Sequence, residues 1–222
     1  MSYQILSLAI AEMDPRVPGE FTILGMEMKR RSIRPFLLSK EEIIAPNGDV
    51  RWDLGRITDV GSVQEYLKEH TNKLNMSYIP SNCRLSEASV DLHQLLEEKK
   101  ESASDFFTKT NKSRYAIVKV SHVSDITVVP SEKNPHPSCK MVVRFQGASN
   151  DESLLNKDYR WVNYWVRQYE KNNSEQNKAL FDESRKRYIA LLNSKKKNLY
   201  CILYRHFFIN NSNIWIAGMH WL

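Results

Sequence analysis

Apolar residues in β-like runs recur along much of this chain, and two late stretches make the longest breaks in the habit. "YQILSLAIA" (3–11), "GEFTILGMEM" (19–28) and "RSIRPFLL" (31–38) open it, and "RYAIVKVSHV" (114–123), "DITVVP" (125–130) and "CKMVVRFQG" (139–147) resume it. Residues 199–208 and 214–221 close it as a hairpin, with Asn210-Asn211-Ser212-Asn213 between them. Alternation of this kind sends successive side chains to opposite faces of a sheet. Turn residues punctuate the runs, Asn47-Gly48-Asp49 most clearly, because Asn and Gly tolerate turn dihedrals. From residue 153 a period of 3.6 takes over and predicts two helices, within 153–172 and 174–193. Shorter helices are expected in "SEASVDLHQLLEEKK" (86–100) and "SASDFF" (102–107).

This order (β-rich, helix, β-rich, helices, hairpin) fits a β-rich α+β chain of two small β-barrels with inserted helices better than a doubly wound sheet. The polar run at 99–113 marks the boundary. The expected domains are 1–110, a barrel with trailing helices, and 111–222, a basic barrel with two inserted helices. In the final strand, strict alternation would send Trp215, Ala217, Met219 and Trp221 to one face and Ile214, Ile216, Gly218 and His220 to the other. Both faces are largely apolar, so the strand is expected to be buried on both sides.

Charge divides the chain more sharply than hydropathy does. Residues 1–111 carry 14 Lys/Arg against 17 Asp/Glu, a net of −3; residues 112–222 carry 18 against 9, a net of +9. That asymmetry points to a polyanion or to an acidic protein surface, with a merely solubilising basic face as the plain alternative. No apolar run approaches the roughly 20 residues of a membrane span, and the first residues lack the basic start of a signal peptide. Three well-separated cysteines, Cys83, Cys139 and Cys201, have no metal-ligand spacing. Reduced thiols, a cytoplasmic location and no membrane partner are the expectation.

Motifs narrow the function further. The sequence has no Walker loop, no G-x-G-x-x-G, no G-x-S-x-G and no paired-histidine zinc spacing, so no cofactor and no metal are expected. "ILSLAIAEMDPRVPGEFTILGMEMKRRSIRPF" pairs Ile5-Leu6-x-Leu8-Ala9 with Gly25 and Ile33-Arg34-Pro35. Together with "CKMVVRFQG", "NKDYRW" (156–161) and "NIWIAGMHWL" (213–222), it resembles the dual OB-fold domain of prokaryotic conflict and mobile-element proteins. The resemblance spans nearly the whole chain. It implies two OB-like barrels and a nucleic-acid-related role, and it implies no catalytic residues. The corresponding expectation is a non-catalytic accessory subunit of a bacterial antiviral-defence or mobile-element system, working with a protein partner in a larger complex.

Two basic surfaces stand out as nucleic-acid-binding candidates. Lys29, Arg30, Arg31 and Arg34 end one β-run and fill the turn after it. Guanidinium forks grip phosphates there, or the cluster is simply solvated. Lys140 and Arg144 share a face of "KMVVRF", with Arg160 and Trp161 nearby in sequence. Basic residues interleaved with aromatics suit a single strand, whose bases stack while its phosphates follow the charges; Trp161 is equally at home in a core. Lys195–Lys197 complement a helix C-terminus and need no ligand. Two other functions remain as alternatives. One is a protein-interaction subunit docking an acidic partner. The other is a Mg²⁺-dependent nuclease in which Asp14 and Glu27 hold the metal and Lys29 assists the attacking water.

Overall fold

The computed structural model describes residues 3–11, 19–67, 73–108, 110, 113–129, 138–172, 175–194, 198–207 and 212–222. The chain divides into two compact units, Met1–Glu98 with Arg205–Asn213, and Lys99–Tyr204 with Ile214–Leu222. Each is β-rich with helices inserted between strands.

The first unit begins with a meander of β1 (Tyr3–Ala11), β2 (Glu20–Glu27) and β3 (Ser32–Ser39), each antiparallel to the next. A register shift between Ser7 and Ala9 bulges β1 and increases its curvature. At Gly25 a Cβ would sit 2.3 Å from Ile5 Cγ2 and 2.9 Å from Phe36 Cε2, so only glycine lets the flanking side chains pack across β2. After the one-turn helix α1 (Lys40–Ile43), held by the Ser39–Glu42 capping box, come β4 (Ile57–Val60) and β5 (Ser62–Tyr66). Then follow β6 (Ser77–Ser81), β7 (Arg84–Leu85) and helix α2 (Leu92–Lys99).

The sheet runs β5-β6-β3-β2-β1-β4-β7. Only Gly61 separates β4 from β5, so together they act as one bent strand that pairs with β1 on one side of the bend and with β6 on the other. A Cβ at Gly61 would lie 2.9 Å from that of Asn82. Counting the bent strand once, the ring has the order 1-2-3-5-4-1, with its third and fifth strands parallel.

The second unit has the same order in a closed barrel. Helix α3 (Ala103–Phe107) precedes β8 (Tyr115–Val129), β9 (Ser138–Phe145) and β10 (Glu152–Asn156). Helices α4 (Tyr159–Lys171) and α5 (Glu175–Leu192) follow, then β11 (Leu199–Phe207) and β12 (Ser212–Trp221). Around the barrel the strands run β10-β12-β11-β8-β9, again 1-2-3-5-4-1, with β10 parallel to β12. This is the Greek-key connectivity of an OB-fold, with the helices placed between the third and fourth strands. The core gathers Phe106, Val118, Val123, Met141, Phe145, Leu203 and Trp165, the last wholly buried on α4.

Two expectations need correction. Residues 153–156 are strand rather than the start of a helix, because they pair with β9 and with β12; the helix begins after Asp158, whose carboxylate caps Arg160 N and Trp161 N. Simple alternation in the last strand also fails. Ile216 and Met219 both belong to the core, with Ile214 and Trp221 against it, so the facing switches between 216 and 219. The Met219 N–H donates at that point to the buried Asp158 Oδ2, at 2.9 Å. The expected burial holds, since Ile216–His220 are all buried. The Asn47-Gly48-Asp49 turn forms, with φ of 89° at Gly48. Of the expected hairpin turn, Asn210 and Asn211 lie outside the described residues, as do Lys195–Lys197, while Ser212 and Asn213 already belong to β12.

Candidate nucleic-acid interface

Alternation along β9 buries Cys139, Met141, Val143 and Phe145 and turns Lys140, Val142 and Arg144 outward. Side chains two apart on a strand are spaced by roughly 7 Å, so the two charges sit side by side. Pairing extends the outward face to both sides. Lys140 lies opposite Thr127 of β8 and Leu155 of β10, and Leu155 in turn lies opposite Trp215 of β12. One outward row therefore crosses four strands, Thr127–Lys140–Leu155–Trp215.

Beyond Trp215 the row becomes aromatic. Its ring centroid is 5.9 Å from that of Tyr204, which stacks at 5.7 Å on Tyr115, its in-register neighbour on β8. Cations attend these rings. Lys157 Nζ lies 5.8 Å from the Trp215 centroid, and Arg114 lies over both tyrosines while donating to Tyr204 Oη at 3.2 Å. Trp215 and Tyr115 are half-buried and Tyr204 is buried. The sequence reading did not single out this strip, because its three rings come from strands up to a hundred residues apart.

The individual cations differ in their freedom. Arg144 is tied down: its Nε meets Asp151 Oδ1 at 2.8 Å, and Asp151 also accepts from Ser124 Oγ. Those two hydrogen bonds, Ser124's foremost, hold the Asp151 carboxyl below its usual range. Lys140 is exposed. Arg160 and Trp161 do not join the β9 face. They lie in the first turn of α4, where Arg160 Nη2 donates to Met219 O at 3.3 Å and its Nε stands 3.7 Å from Asp158. Trp161 packs edge-on against Tyr188 at 5.3 Å. Burial pushes the Asp158 carboxyl up, against the opposing pull of Arg160 and three backbone N–H groups.

The basic cluster of the first unit is partly occupied with structure. Lys29, Arg30 and Arg31 fill the β2–β3 turn, where Arg31 adopts φ of 54°. Glu27, 4% exposed, lies 3.5 Å from both Arg30 and Arg34, and Arg34 sits over the Tyr78 ring. A buried carboxylate needs such partners, so two of the four cations balance Glu27. The same contacts bear on the nuclease alternative: Glu27 is enclosed by guanidinium groups, Lys29 is exposed, and Asp14 lies outside the described residues. Among the described residues, no group of three or more His, Cys, Asp or Glu is placed to hold a metal, and no helix is long and apolar enough to cross a membrane. Cys83, Cys139 and Cys201 are free thiols, and burial raises Cys139 to about 12.

No family model and no curated protein matches the sequence. Among solved structures, the chain is similar to one titled "Structure and Conformational Change of a Replication Protein A Heterotrimer Bound to ssDNA". Sequence identity is 11% and the TM-score 0.41, over 98% of this chain and 48% of that one. The chain thus spans about half the length of that structure's chain, and its own fold is read from the strand order.

Proposed function

We propose that the second barrel binds single-stranded nucleic acid along the outward row of β9, β10 and β12, as a non-catalytic module. The carrying observation is that Lys140 and Arg144 share the outward face of the second strand of an OB barrel, and that Lys140 lies in one cross-strand row with Trp215. The face of the second and third strands is where barrels of this kind take oligonucleotides. Bases stack on aromatic planes while lysines and arginines follow the phosphates, which favours single strands over duplex. The +9 balance of residues 112–222 supplies the long-range attraction. Lys29 and Arg31, exposed in the other unit, are auxiliary phosphate contacts in this reading. The setting we propose, an accessory subunit of a bacterial defence or mobile-element complex, rests on the motif resemblance at Ile5–Ala9, Gly25, Ile33–Pro35 and residues 213–222.

Fluorescence anisotropy with a labelled single-stranded oligonucleotide across a salt series tests the binding reading. Each phosphate contact contributes about 0.7 to the slope of log K against log salt for single strands. Lys140→Glu with Arg144→Glu is expected to weaken binding and to reduce that slope by about 1.4. Equal affinity and slope for wild type and double variant would overturn the assignment of this face.

A further inference from the structure

From a separate observation, the outer stripe of α5, we infer that this helix pairs antiparallel with the same helix of a second copy of the chain. The inner side of α5 is accounted for: Phe181, Tyr188 and Ile189 pack against the core, Leu192 is buried within it, and Arg185 bonds Ile126 O and Asp125. One step round the helix two leucines face solvent, Leu180 at 59% exposure and Leu191 at 45%. They end a shallow groove of about 350 Å³ lined by Leu180, Glu183, Ser184, Arg187, Tyr188 and Leu191. Leucines eleven residues apart, with a half-buried aromatic between them, form an apolar stripe along a helix.

The order of side chains in the groove selects the occupant. A two-fold axis midway between residues 185 and 186 exchanges 180 with 191, 183 with 188, and 184 with 187, so each groove residue faces another groove residue. Leu180 then meets the second copy's Leu191 at both ends. Arg187 meets the second copy's Ser184, within reach of its Glu183, the residue it already pairs with inside its own helix. A parallel pairing would instead set arginine on arginine and glutamate on glutamate. The surface is thus self-complementary in one orientation, the requirement for an isologous contact. A single helix pair is small beside the roughly 1,600 Å² of a standard stable interface, so the dimer forms and dissociates with concentration.

Sedimentation of the full chain without nucleic acid tests this, separately from the binding reading. The 26.0 kDa monomer is expected to double in mass as concentration rises, and Leu180→Glu with Leu191→Glu to stay monomeric with an unchanged melting temperature. Orientation is read in a Cys83→Ser background. Oxidising a mixture of Leu180→Cys and Leu191→Cys proteins is expected to give a disulfide-linked heterodimer. Either protein alone is expected to give none, since like positions in an antiparallel pair stand roughly 16 Å apart. A monomer at every concentration, a dimer that survives both glutamates, or self-linking as efficient as cross-linking would each overturn the proposal.

Discussion

The two units differ most at the parallel step between their third and fifth strands, where neither sheet is joined by a simple hairpin. In the first unit that step rests on one in-register pair, Phe36 with Tyr78, whose rings stand 6.2 Å apart, with Arg34 over the tyrosine. In the second unit two pairs are joined by Lys157 N–H bonding Ile216 O at 2.7 Å and by Asp158 accepting from Met219 N. The same Asp158 caps α4. The comparison teaches that one carboxylate can start a helix and seal a sheet at once when a strand runs directly into a helix over the seam. Where the third strand leads into a four-residue helix instead, the first unit meets this step with the Phe36–Tyr78 ring contact and with Arg34 over Tyr78.

The largest test of this comparison is removal of residues 213–222. β12 pairs with both β10 and β11, so its loss opens the second barrel on two sides, and no cooperative melt of that unit should survive. A truncated protein melting near the wild-type temperature would show the strand to be dispensable. Next come the two central tryptophans, Trp165 at 0% exposure and Trp52 at 1%. Truncating either to alanine should cost about 3–5 kcal/mol. Calorimetry shows whether Trp165→Ala and Trp52→Ala lower the same transition or different ones; a shift in one shared transition would make the two units a single cooperative body.

The seam itself is probed by Asp158→Ala. Loss of an N-cap costs about 0.5–2 kcal/mol, and the unsatisfied Met219 N–H should bring the value to the upper end of that range. Urea denaturation measures it, and a cost below the range would deny Asp158 its double role. The smallest effect is electrostatic. Asp151 is held below its ordinary 3.8, so its ionised form contributes stability above that value and loses it as pH falls through the depressed one. Asp151→Asn should therefore melt lower than wild type near neutrality, and the gap should close in acid. A gap that is constant with pH would remove this ion pair from the account.

Much of this architecture was legible in local pattern. The runs that became β1, β2, β3, β8, β9, β11 and β12 are apolar, β-rich stretches, and the outward placement of Lys140 with Arg144 follows from alternation along β9. What escaped depended on distant residues. Leu154 and Leu155 fit a helical period as well as a strand, and only pairing with β9 and β12 makes them strand. The change of facing between Ile216 and Met219 has no local mark beyond Gly218, and the carboxylate bonded to Met219 N lies sixty-one residues earlier. The Tyr115–Tyr204–Trp215 strip is invisible until three strands are laid side by side. Arg160 and Trp161 are close to β10 in sequence, yet they lie on the first turn of the helix that begins at Tyr159, where Trp161 packs against the core.

The assignment of Arg205–Asn213 to the first unit has a consequence in time. Asn75 donates to Phe207 O at 2.7 Å and accepts from Phe207 N at 3.0 Å, a reciprocal pair across 132 residues. During synthesis, residues 1–98 emerge long before that partner exists. At about 5–20 residues per second, the intervening stretch takes roughly 5–20 s to make. For that interval the nascent first unit has Asn75 without its backbone partner. The half of the chain translated first is therefore among the last to be completed.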